Sequence, residues 1–238
     1  MSKILCIESG TNTCSVALGF DQEDIDIIES HEANNNHARN LTQFVKTILD
    51  RQGLKAKDLS AVAISKGPGS YTGLRIGVSA AKGICYGAGV PLISVGSLDA
   101  LTNGAISWIQ SNPEQPKPEL FCPMIDARRM EVYTQLFLPN GECISEVEAK
   151  ILDGNSFNED LESKRILFFG NGSNKAVGLI NSPNASFINE FKPSARFMIT
   201  IASRMYKLRK FEDVAYFEPL YLKDFVATIA KNKVLTGN

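Results

Sequence analysis

Short apolar runs separated by turn formers open the chain. Ile4–Glu8, Ser15–Phe20 and Ile25–Ser30 each read as a strand, and Ser9-Gly10-Thr11-Asn12 and residues 21–24 between them predict a β-meander. The period then changes. Leu41, Phe44, Val45, Ile48 and Leu49 recur at i, i+3, i+4, i+7 and i+8, which predicts a helix over 37–52 capped by Asn35 or Asn36 and stopped by Gly53. Leu59–Ile64 is a buried-type strand, a second helical run spans 71–87, Pro91–Val95 is again strand-like, and a third helix covers 97–110. Three prolines within 112–118 then break the pattern. The lobe boundary is placed there, with an N-terminal lobe over 1–112 and a C-terminal lobe over 113–238. Beyond it Leu120–Asp126, Glu131–Leu138, Cys143–Ile151 and Arg165–Phe169 read as strands, with helices near 175–180 and 195–211. The order β-β-β-α-β-α occurs twice, the second time shorter, so the chain predicts two related α/β lobes.

Composition adds little to that picture except by exclusion. With 25 basic and 26 acidic residues there is no broad field for nucleic acid, and Lys207-Leu208-Arg209-Lys210 reads as a solvated helix end. The cysteines are five in number, and Cys6, Cys14, Cys85 and Cys122 lie in or beside apolar runs, where reduced thiols act as small hydrophobes. A reducing cytoplasm is the expected setting. No window is apolar for the roughly 18 residues that a membrane span requires.

The stretch Ser65-Lys66-Gly67-Pro68-Gly69-Ser70-Tyr71-Thr72-Gly73-Leu74-Arg75-Ile76-Gly77 lies between a strand and a helix. It is not a P-loop, since Leu74-Arg75 follows Gly73 where Lys-Ser or Lys-Thr would stand, and it is not a dinucleotide fingerprint, whose third glycine would fall at Thr72. Gly69, Gly73, Gly77 and Ala81 instead recur every four residues, and Gly83 and Gly87 repeat the interval on another face. Interior glycine costs a helix about 1 kcal/mol relative to alanine, so such a ridge predicts close approach of another backbone. That backbone belongs either to the lobe's own sheet or to a partner helix.

Ile4–Leu18, His37, residues 65–101, Ile125–Tyr133 and "EPLYLK" over 218–223 together resemble the TsaB (YeaZ) family over nearly the whole chain. The resemblance implies two lobes of the actin-like ATPase (ribonuclease H-like) type, the second reduced. It implies a non-catalytic subunit of the machinery that attaches threonylcarbamoyl to N6 of adenosine 37 in tRNA. The subunit would pair with TsaD, with the ATPase TsaE joining them, would meet tRNA only through the complex, and would form a homodimer when alone. No cofactor is expected. Pairing would use the two N-terminal helices, with Leu41, Phe44, Val45, Ile48, Tyr71, Gly73, Leu74, Gly77, Val78 and Ala81 as interface candidates. On that reading Gly77→Arg abolishes pairing and leaves the fold intact.

Two catalytic alternatives are weighed beside it. A TsaD-like metal site would need histidines at Ser97 and Leu101, and the chain has only His31 and His37. A stand-alone ATPase or kinase would use Glu8, Gly10 and Thr11 at a phosphate-facing turn, Asp126 as the second-lobe acid, and Gly170 and Gly172 beside an adenosine. Glu8 stands where the family has Asp, and Ala127-Arg128-Arg129 follows Asp126 where a phosphate turn would want glycine. Arg128 and Arg129 are read as pairing with surface acids.

Overall fold

A computed structural model describes residues 2–21, 23–31 and 37–222. The expected Asn35 or Asn36 cap and the side chain of His37 fall outside them. The meander is present as β1 (Lys3–Glu8), β2 (Cys14–Phe20) and β3 (Glu23–Ser30), followed by α1 (His37–Arg51), β4 (Ala61–Ser65), α2 (Tyr71–Ala88), β5 (Leu92–Val95) and α3 (Ser97–Ser111). The five strands form one sheet in the order β3-β2-β1-β4-β5. β1 pairs antiparallel with β2 and parallel with β4, and β4 pairs parallel with β5. Strand alternation sorts the side chains. Leu5, Ile7, Val16, Leu18, Val62 and Ile64 face α1 and α2 on one side. Ile4, Cys6, Ala17, Ala61 and Ala63 face the other.

The second half repeats the plan in reduced form. β6 (Leu120–Asp126), β7 (Glu131–Thr134), β8 (Glu148–Ile151), the single-turn α4 (Asn158–Leu161), β9 (Ile166–Phe169) and β10 (Ala185–Phe187) give a sheet of order β10-β9-β6-β7-β8. The expected strand over 131–138 stops at Thr134, because the Leu136 N–H is donated to the Ser145 hydroxyl instead of a ladder partner; Phe137 rejoins Phe121 through an isolated bridge. The strand expected from Cys143 begins only at Glu148, and the expected helix at 175–180 is a 3₁₀ turn, Ser173–Lys175.

The chain then departs from a boundary drawn once near 112. After a 3₁₀ turn (Ala195–Met198), α5 (Ile199–Lys207) covers the back of the first sheet, where Ala195, Met198, Ile199 and Ala202 pack on Ile4, Cys6 and Ala63. The physical reason is the face that β1, β2 and β4 leave apolar and small, which α1 and α2 do not reach. A strap over 211–222 continues along the same lobe. Glu212 N–H donates to the Leu92 carbonyl, Lys82 Nζ donates to the carbonyls of Ala215 and Phe217, and Leu220 N–H donates to the Lys66 carbonyl. Between the sheets, α3 places Leu98, Leu101 and Ala105 against Phe121, Phe137 and Phe169 of the second. Among the described residues no helix is long and apolar enough to cross a membrane.

Candidate functional site

The turn after β1 and the glycine-rich loop after β4 meet at the sheet's carboxyl edge. Glu8 is 1% exposed and its Oε1 accepts the Gly10 N–H at 2.6 Å. Burial lifts its carboxyl to about 7, against the opposing pull of the Gly10 amide, the neighbouring Ser65 hydroxyl and the Ser9 amide. The Gly10 carbonyl accepts Ser70 N–H at 2.6 Å, and the Ser9 hydroxyl donates to the Gly73 carbonyl at 2.9 Å. A Cβ on Gly69 would collide with the Gly10 carbonyl, one on Gly73 with the Ser9 carbonyl, and one on Gly77 with the Ser9 hydroxyl. The ridge therefore exists so that α2 can lie on the Glu8–Thr11 turn.

That corrects the expectation for most of the interface set. Gly73, Leu74, Gly77, Val78 and Ala81 of α2, with Leu41 and Ile48 of α1, are buried in the chain's own first lobe. Phe44 is half-buried on the same core. Tyr71 packs against Tyr221 of the strap with ring centroids 4.8 Å apart and the rings tilted by 43°, and the Arg75 guanidinium lies 4.1 Å above the Tyr71 ring. Of the ten candidates, Val45 is the one that lines the groove between α1 and α2. Gly77→Arg would drive its side chain into Ser9 and Ile64, so loss of fold is expected in place of selective loss of pairing.

The groove lies between α1 and α2, holds about 540 Å³, and is lined by Val45, Leu49, Leu54, Ala80, Gly83 and Ile84, with Lys46 and Asp50 at its rim. A Cβ on Gly83 or Gly87 would meet nothing within 4 Å. These are the glycines of the second interval in the sequence, and of the two Gly83 lines the groove. Tyr86, on the next turn of α2, is 87% exposed. A second cleft, of about 670 Å³ on the second lobe, is walled mainly by polar and acidic side chains such as Glu148, Asp153 and Asp160.

In the second lobe the structure brings Asp126, Gly170 and Gly172 together. A Cβ on Gly172 would crowd the Asp126 amide, and one on Gly170 the Met124 carbonyl. Asp126 Oδ1 accepts Lys175 Nζ at 2.6 Å and the Arg128 N–H at 2.6 Å. Arg128 and Arg129 take the left-handed conformation glycine would favour, with φ of 70° and 47°. Among the described residues neither has an ion pair of its own; Lys175 is the cation on Asp126. Ser97 and Leu101 are buried in the first turns of α3, and among the described residues no group of three His, Cys, Asp or Glu gathers as metal ligands would. Burial pushes the thiols of Cys14 and Cys85 to about 11 and that of Cys122 to about 12, so these sulfurs are packing atoms.

A meander followed by parallel strands, with helices on both faces, defines the ribonuclease H-like (actin-like) fold, here with a reduced second lobe. A family described as "TsaD: tRNA N6-adenosine threonylcarbamoyltransferase" matches residues 28–231. The tRNA threonylcarbamoyladenosine biosynthesis protein TsaB of Escherichia coli is 30% identical over 94% of this chain and 96% of its own length; that of Haemophilus influenzae is 28% identical over 94% of each. YeaZ from Pseudomonas aeruginosa superposes with a TM-score of 0.76 at 23% identity, over 93% of this chain and all of that one. The chain belongs to the TsaB (YeaZ) family.

Proposed function

We propose that the chain serves the biosynthesis of threonylcarbamoyladenosine in tRNA as a non-catalytic subunit, and that its α1–α2 groove receives TsaD. The observation that carries this is the uncovered Gly83 of α2, in the groove beside the apolar wall of Val45, Leu49 and Ile84. A helical glycine with nothing against it sacrifices stability without an internal return, unless a second helix comes close. The Glu8–Thr11 turn supports the non-catalytic part of the reading. Its Gly10 amide and carbonyl and its Ser9 hydroxyl are already bonded within the chain, so little of it is left to hold a phosphate.

TsaE and the tRNA then meet the assembled pair, and a second copy of this chain takes the groove when TsaD is lacking. Gly83→Arg tests the reading. The side chain enters open space, so the denaturation midpoint is expected to hold while co-elution with TsaD in size exclusion with light scattering is lost. Undiminished co-elution would remove the groove from the interface. Saturable ATP binding by the isolated chain, abolished by Glu8→Ala, would favour the stand-alone ATPase.

A further inference from the structure

The end of α5 and the residues after it carry four cations and no acid: Arg204, Lys207, Arg209 and Lys210, with Leu208 and Phe211 among them. All six side chains are exposed. Among the described residues none of the four cations has an ion pair. The acids nearby are engaged elsewhere. Asp21, which lies within Coulombic reach of Lys207, accepts the amide and the hydroxyl of Ser2. Glu212 accepts the Ser94 hydroxyl, and Asp213 accepts the amides of Ala215 and Tyr216. A solvated helix end accounts for Arg204 and Lys207, which sit in the last turn where cations complement the helix dipole. It does not account for Arg209 and Lys210. Their amides close the helix by donating to the carbonyls of Tyr206 and Met205 at 3.0 Å each, and Arg209 takes the left-handed position, φ 52°, where such a cap ordinarily has glycine. Beside them the Phe211 ring, 41% exposed, is braced by Tyr206 with centroids 5.8 Å apart.

We infer that residues 204–211 are a direct contact of this chain with tRNA, the cations on backbone phosphates and the Phe211 ring against an unpaired base. Phosphates take unpaired cations whatever the sequence, and a fixed, exposed ring offers any base a face to stack on. An anionic bilayer would also attract the cations, but it takes up the apolar face of a helix, and α5 buries its own, Ile199 and Ala202, on the first sheet. Position supports the assignment. The helix α5 covers the face of that sheet opposite α1 and α2, so a partner seated in the groove leaves the patch open. The inference rests on the chain's service to tRNA modification, and it differs from the expectation that tRNA is met only through partners.

The test is fluorescence anisotropy of a labelled, unmodified tRNA transcript bearing adenosine 37, titrated with the full chain over a salt series. Arg209→Gln/Lys210→Gln is expected to weaken binding about tenfold at moderate salt and to lower the slope of log Kd against log salt by about 2. Phe211→Leu keeps an apolar contact for Tyr206, and is expected to weaken binding about tenfold with the slope unchanged. No binding by the wild type, or variants that bind as it does, overturns the inference. Tighter binding of the wild type to phosphatidylglycerol vesicles than to tRNA at the same salt overturns it in favour of a membrane. Both variants are expected to co-elute with TsaD as the wild type does, because neither residue set lines the groove. If the wild type binds tRNA through these residues and does not co-elute with TsaD, the RNA contact stands and the groove assignment falls. Co-elution without tRNA binding means the reverse.

Discussion

Near neutral pH a carboxyl enclosed at the end of β1 is divided between its two protonation states, because burial lifts Glu8 from an ordinary 4.5 to about 7. Folding therefore takes up a proton between those values. The stability tied to this group is complete below the unfolded pKa and is lost as pH rises through about 7. Glu8→Gln keeps an acceptor for the Gly10 amide and removes the titration. Relative to wild type it is expected to gain about 3 kcal/mol between pH 4 and pH 8, read by urea denaturation at each pH. A difference that stays level across that range would mean that Glu8 titrates normally. Glycines offer a second comparison within one helix. Gly73→Ala meets the Ser9 carbonyl and is expected to lose about 2 kcal/mol, whereas Gly83→Ala meets nothing and is expected to gain somewhat under 1 kcal/mol from helix propensity. Denaturation midpoints moving the same way would contradict the packing described. The four-residue glycine spacing was legible in the sequence, and so was the need for a close neighbour. Which neighbour was not, because a ridge looks the same whether Ser9 or a partner lies on it.

Most elements of the first lobe were readable because they carry a long run of one period, seven residues in β2 and eighteen in α2, and the short β4 and β5 because each is a continuous apolar run beside a helical one. In the second lobe β9 was read to within a residue as an apolar run, but β7 and β8, four residues each, are too short for a period to declare itself, and the end of β7 is set by a side chain, Ser145. The strap over 211–222 was illegible for a different reason. It has no repeating pattern, and its hold on the lobe comes from backbone carbonyls that bond Lys82 and from Val214 and Phe217 packing on the core. Lys82→Ala is expected to loosen it, with faster amide exchange confined to 212–220 and a loss of about 1 kcal/mol. Exchange that stays at the wild-type rate there would mean that the apolar contacts suffice.

For the molecule as a whole, the sequence suggested two lobes in series, and the return of α5 to the first sheet makes the second lobe an excursion from the first. Expressed alone, residues 1–112 lack Ala195, Met198, Ile199 and Ala202, the cover of the sheet's back face. That fragment is expected to show no cooperative thermal transition by circular dichroism, since an apolar sheet face left in water removes much of what stabilises so small a unit. A sharp transition near that of the full chain would mean that α5 is dispensable. The same return sets an order of events during synthesis. A nascent chain usually completes its domains from the amino end, but here the back of the first sheet stays bare until residue 207 has left the ribosome, after the whole second sheet is available to form. The lobe that is begun first is thus finished last, and in the interval its exposed face of Ile4, Cys6 and Ala63 is a natural binding target for chaperones.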